Sequence, residues 1–162
     1  MYTKVINVNW NIPRNVVRVK AFLLNDNNEF LLGKCGGGYQ LPGGHAEINE
    51  DYKTTLIREI KEETGITLNL DNNVKPYYSI CYKTNKTEFT SQVVYFFIRC
   101  NEKPNLSKTN YTKEELDGNF SLEYINADNF LNIINQNKEE DIAPIYKVID
   151  DEIIDAYSNL KF

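Results

Sequence analysis

The chain has a single histidine, His45, and only three cysteines, Cys35, Cys81 and Cys100, none of them in a C-x-x-C spacing. A zinc centre built from these side chains is therefore not expected, and an odd number of scattered thiols fits reduced cysteines better than a disulfide framework. That points to the cytoplasm. Long apolar runs are also missing: no segment approaches the 18 residues that a membrane-spanning helix needs. The first residues, "MYTKVINVNWNIPRNVVRVKAFLL", lack a basic region leading into an apolar stretch and a small-residue cleavage site, so no signal peptide is expected. Positive charge is short too, with 18 Lys and Arg against 23 Asp and Glu and a net charge of −5. This balance argues against broad attraction to nucleic acid or to an anionic membrane. No internal repeat is present, and the asparagine clusters "NDNNE", "LDNNV" and "NIINQN" read as turns. What remains is 162 residues that are 41% apolar and 25% charged, the size and balance of one domain over 1–162 that can bury a real core.

Hydrophobic patterning gives a mixed α and β chain. "NVVRVKAFLL" and "EFLLGKC" are β-rich runs around an Asn-rich turn, which predicts a hairpin. "YYSICYKT" and "SQVVYFFIRC" are again strand-like, separated by the polar "NKTEFT", and "NFSLEYI" is a further short strand. The polar stretch "NEKPNLSKTNYTKEELDG" before it is long enough to be a functional loop. Downstream, "ADNFLNIINQ" and "IAPIYKVIDDEIIDAYSNL" have helical spacing, with Ile145, Val148, Ile149 and Ile153 as the expected buried stripe.

One segment is unusually acidic. "GGHAEINEDYKTTLIREIKEETGI", residues 43–66, carries six carboxylates: Glu47, Glu50, Asp51, Glu59, Glu62 and Glu63. "LPGG" is a turn, Asn49 to Asp51 supply cap-type and acidic residues at a positive helix end, and Gly65 is a natural C-terminal stop. These signals predict a helix from about Asp51 to Thr64. Within it Glu59, Glu62 and Glu63 stand at i, i+3 and i+4 and share a face, while Leu56, Ile57 and Ile60 lie on the adjoining arc to pack on the sheet. Like charges about 4 Å apart repel by about 1 kcal/mol per pair even in water. Nothing in helix stability asks for that. A hard divalent cation does, because Mg²⁺ takes oxygen ligands and binds carboxylates together with substrate phosphates. Gly43 and Gly44 would let the backbone approach the same ion.

Gly44, five residues, Glu50, seven residues and then "REIKEETGI" from Arg58 to Ile66 resemble the Nudix box at every defining position. Nine specified positions match by chance with a probability on the order of one in a billion per start site at ordinary residue frequencies. The box covers residues 44–66. Asn49 stands where many members have glycine, and asparagine tolerates the left-handed conformation that glycine would supply there. The resemblance implies an α+β Nudix fold, a mixed β-sheet sandwiched between helices. It also implies a hydrolase of phosphoanhydrides in nucleoside diphosphate-linked, small-molecule substrates, using Mg²⁺ or Mn²⁺. By similarity to the family, Glu62 and Glu63 are metal ligands, Glu59 is a ligand or the general base, and the Gly43 carbonyl completes the set. Arg58 and Glu50 resemble the family's structural ion pair, with Arg58 counted among the catalytic residues. A glutamate from a later loop often takes part, and Glu115 or Glu114 is that candidate.

Tyr82, sixteen residues after Ile66, resembles the tyrosine of some dinucleoside polyphosphate hydrolases and is the substrate-binding candidate. Alternation in "YYSICY" also allows sheet packing for Tyr77, Tyr78 and Tyr82. His45 is expected to be neither base nor ligand, and Cys35 to be packing or surface. Two other readings stay open: a Nudix-fold nucleotide-binding regulator without hydrolysis, and a plain divalent-ion binder. A regulator is expected to have lost a box glutamate or Arg58, and none is lost. The family's isoprenoid diphosphate isomerases need extra metal-binding histidines that this chain does not have. A homodimer is left open.

Overall fold

The computed structural model describes residues 1–9, 15–84, 87–140 and 142–161, with the side chains of 87–89 and 114 outside that description. Eight strands form one mixed sheet: β1 (Tyr2–Val8), β2 (Val16–Leu24), β3 (Glu29–Cys35), β4 (Gly38–Gln40), β5 (Gly43–His45), β6 (Tyr78–Thr84), β7 (Thr87–Arg99) and β8 (Ser121–Asn126). Their order is β1-β6-β7-β2-β3-β4, with β5 added beside β2 and β8 beside β3. β1 runs parallel to β6 and β2 parallel to β7; the other pairs are antiparallel. Helix α1 is Tyr52–Thr64, α2 is Lys113–Asp117, α3 is Phe130–Glu139 and α4 is Pro144–Ser158.

The two-residue period of β2 sorts its side chains between two cores. Val19, Ala21 and Leu23 pack with Leu56 and Ile60 of α1, joined by Val94, Phe96 and Ile98 of β7. Phe22 and Leu24 face the opposite way, into a cluster with Phe130 and Ile134 of α3 and Ile153 and Ala156 of α4. Helices therefore cover both faces of the sheet, the sandwich that the resemblance implies. Arg18 and Lys20 lie on the α4 side of β2, in step with Phe22.

Several local expectations change. "NKTEFT" is not a separator throughout: β7 already begins at Thr87, where it pairs with Thr84 of β6. β1 carries no strong alternation and is largely exposed, and it becomes a strand through parallel pairing with β6. In α4 the expected stripe is half right. Ile149 and Ile153 face inward, but Ile145 is 59% and Val148 40% exposed, because the inward arc runs through Tyr146, Ile149, Ile153 and Ala156. Pro144 at the start of α4 sets its first turn.

Candidate active site

Helix α1 starts where its cap dictates. Asp51 accepts hydrogen bonds from the backbone N–H groups of Lys53 and Thr54, and Gly65 closes the helix at φ 72° with its own N–H on the Lys61 carbonyl. The turn before it contains Asn49 at φ 65°, the left-handed geometry expected for that position. Glu59, Glu62 and Glu63 then line a single cavity of about 570 Å³, together with Gly43, Gly44 and Glu115.

Arg58 organises the near wall. Its Nε and Nη2 donate to the two oxygens of Glu50 at 3.0 and 2.9 Å, a bidentate pair, while Nη1 reaches Glu59 at 2.7 Å and Glu62 at 3.3 Å. Nη2 also donates to the His45 carbonyl at 2.9 Å, so one guanidinium ties α1 to β5 and to the turn. Glu50 additionally accepts from the Glu47 N–H and the Thr55 hydroxyl. The Arg58 hydrogen bonds hold its carboxyl down at about 2.

The glycine pair is closely approached on both sides. Gly43 sits at φ 123°, and a Cβ there would lie 2.1 Å from the Val19 carbonyl oxygen. A Cβ on Gly44 would lie 2.2 Å from an oxygen of Glu59. The Gly43 N–H donates to Glu63 at 2.8 Å, and the Lys20 ammonium donates to the Gly43 carbonyl. Burial pushes the Glu63 carboxyl up to about 7, against the pull of Lys20 and the Gly43 N–H. Burial likewise raises Glu59, with Arg58 opposing, and lowers Lys20.

These side chains are neighbours in one cavity, but they are committed to protein partners. Among the described residues no three His, Cys, Asp or Glu side chains converge on a common point as a metal cage does. Glu59 and Glu62 both contact Arg58 Nη1, and Glu63 is held by Gly43. The donor chemistry nonetheless fits a hard divalent ion: all the candidate ligands are oxygens, and the cradle beside them admits no Cβ. Side-chain rotation of Glu59 and Glu62 off Arg58 is what convergence requires.

The later loop also reaches the cavity. Glu115 and Thr112 line it, and Glu115 accepts from the Thr112 N–H at 2.5 Å, while the side chain of Glu114 lies outside the described residues. Tyr82 is placed differently from a stacking platform. It packs at the edge of the core, is not among the cavity-lining residues, and donates its hydroxyl to Glu152 at 2.9 Å. His45 lines the cavity, and burial lowers its pKa. Cys35 is buried and also lines it, and all three cysteines are free.

Sequence reasoning missed the wall opposite α1. Arg18 and Lys20 from β2 and Tyr146 and Glu152 from α4 line the cavity. The available signal was the pair of cations at alternate positions in the otherwise apolar "VVRVKAFLL".

A family model described as NUDIX domain matches residues 14–142. Nudix hydrolase 10 of Arabidopsis thaliana is 36% identical over 90 residues, covering 52% of this chain and 31% of that protein, so the chain spans about a third of the length of this curated relative. Among solved structures, a MutT protein from Methanosarcina mazei Go1 superposes with a TM-score of 0.56 at 22% identity, covering 90% of this chain and 96% of the other. A MutT NUDIX hydrolase from Burkholderia pseudomallei gives 0.54 at 17% identity, covering 88% and 99%. At such identities the likeness is one of fold.

Proposed function

Because the chain belongs to the Nudix family, we propose that it hydrolyses a phosphoanhydride bond in a small nucleotide-type substrate, with Mg²⁺ or Mn²⁺ held by Glu59, Glu62, Glu63 and the Gly43 carbonyl. The observation that carries this reading is the enclosure of those four groups, with Glu115, in one cavity beside a glycine pair that leaves no room for side chains. A divalent cation bound there supplies the charge neutralisation that lets a diphosphate enter an acidic site, and the Lewis acidity that activates water.

The chain's own residues do the rest. Arg58 fixes the roll of α1 by gripping Glu50 on both oxygens, so the carboxylates one turn further on are presented to the same cavity. Lys20, beside the Gly43 carbonyl, offers its remaining N–H donors to a phosphate oxygen. Glu59, whose carboxyl is raised by burial, and Glu115 of the later loop, which lines the same cavity, are candidates to take a proton from the attacking water, with Glu114 as the alternative in that loop. A nucleotide-binding regulator without hydrolysis remains the competing class.

One assay separates the two. Nucleoside triphosphates, dinucleoside polyphosphates, ADP-ribose and nucleotide sugars are each tested with Mg²⁺ and Mn²⁺, alongside a phosphate monoester. Anhydride turnover with poor monoester hydrolysis is expected. Nucleotide binding with no turnover of any of them contradicts the proposal.

A further inference from the structure

We propose that Glu152 is a specificity-determining residue that reads an exocyclic amino group on the substrate's nucleobase, with Arg18 and Tyr82 holding its carboxylate in place; this rests on the nucleotide reading above. Glu152 is a charged residue only 4% exposed, on the inward arc of α4, and it lines the same cavity as the α1 carboxylates. Arg18 Nη2 donates to its Oε1 at 2.7 Å, and the Tyr82 hydroxyl donates to that same Oε1 at 2.9 Å.

Both contacts fall on one oxygen. Among the described residues Oε2 takes no hydrogen bond. A purely structural Arg–carboxylate pair gains most from a fork-to-fork arrangement that uses both oxygens. Here the second oxygen is left open to the cavity that Glu152 lines, and an ionised carboxylate oxygen there can only accept.

The surroundings narrow the donor. Tyr146, Ile149 and Ile153 supply apolar walls suited to a flat group. Tyr146 is fixed in place: a Cβ on Gly38 would lie 2.2 Å from its ring, so the ring rests directly on the glycine backbone. Arg18 is two residues along β2 from Lys20, about 7 Å, which sets this subsite roughly one pentose away from the phosphate end. A second phosphate is disfavoured there, because Glu152 already neutralises Arg18 and its free oxygen repels anions. A neutral, planar, N–H-bearing group meets every condition, and among nucleobase donors the exocyclic amine stands furthest from the ring and offers two N–H bonds.

The test compares nucleotide pairs that differ only in this amine: adenosine with purine riboside, guanosine with inosine, and cytidine with the riboside of 4-unsubstituted pyrimidin-2-one. Wild type is expected to prefer the amine-bearing member of at least one pair by about tenfold or more in kcat/KM, the range for a hydrogen bond to a charged group. In Glu152→Gln, Arg18 and Tyr82 both demand an acceptor, so the amide turns its oxygen to them and its NH₂ to the cavity. The preference is then expected to fall to within about twofold or to invert. A residue with a merely structural role would lower both members alike and leave the ratio unmoved. Tyr82→Phe, which keeps the Arg18 pair, is expected to relax the same ratio partly, and it decides the matter if Glu152→Gln melts early. Equilibrium binding of the corresponding monophosphates reads the ratio without turnover, so absence of hydrolysis and absence of base discrimination are told apart. The proposal is overturned if wild type shows no preference within any pair in either measurement, or if the ratio survives both substitutions.

Discussion

Alanine at Gly43 and alanine at Gly44 are expected to do different things, although the residues are adjacent. At Gly43 the backbone holds φ 123°, where a side chain is strained by about 1–3 kcal/mol, and the new Cβ would sit 2.1 Å from the Val19 carbonyl oxygen. That oxygen belongs to β2, which cannot yield without opening its pairing with β5. Overpacking adds about 1–3 kcal/mol. The total, about 2–6 kcal/mol, corresponds to a fall in Tm of about 4–24 °C for a chain of this size. At Gly44 the obstacle is the carboxylate end of Glu59, 2.2 Å away, and a side-chain end can swing aside at about 0.5–1.5 kcal/mol. Gly44→Ala should therefore melt within about 6 °C of wild type. It should still lose on the order of 10²-fold in kcat/KM, because a positioned catalytic group has moved by about an ångström. Thermal melts by circular dichroism and steady-state hydrolysis on the best substrate read the two effects separately. The reasoning is refuted if Gly43→Ala melts like wild type, or if Gly44→Ala destabilises as much as Gly43→Ala while keeping full turnover.

Two further outcomes follow from the carboxylates. Glu63 is protonated up to about pH 7 in the metal-free protein, above the ordinary 4.5 of an unfolded glutamate, so its contribution to stability is complete below pH 4.5 and is lost as pH rises to about 7. Metal-free Tm is expected to drop across that window by roughly 6–12 °C, on the order of 3 kcal/mol, and Glu63→Gln should flatten this component; an identical pH profile in the variant contradicts it. Millimolar Mg²⁺ at pH 7.5 should raise Tm, since binding to the folded state alone adds stability by mass action, and Glu63→Gln should lose part of that rise. A cation shift of equal size in wild type and variant would place the ion elsewhere.

Helix α1 was legible because its causes are local. Asp51, Gly65 and the i, i+3, i+4 glutamates announce a capped helix with a costly acidic face, and α1 begins one residue inside the expected start. The two-sided covering of the sheet was legible only through the family resemblance, and the alternation in β2 and β7 is how the structure builds it. What stayed hidden depends on partners far away in sequence. Arg18 looks like an ordinary polar residue of a half-exposed strand until Glu152, 134 positions later, closes on it. β4 and β5 have three residues each and exist only because β3 and β2 lend them hydrogen bonds. Tyr82 could be placed on a strand but not aimed: its ring lies at the core edge and its hydroxyl on Glu152, a geometry set by where α4 docks.

The central claim is that water cleaves a phosphoanhydride at the α1 carboxylates. Its most direct test is turnover in ¹⁸O-labelled water with Mg²⁺, run for wild type and Glu63→Gln on the best substrate of the panel. Wild type is expected to place one solvent oxygen on one of the two product phosphates. Glu63→Gln, folded by its melting curve, should do so about 10²-fold or more slowly, a loss on the order of 3 kcal/mol. Product formed without label, or full-rate labelling by Glu63→Gln at saturating Mg²⁺, would contradict the account.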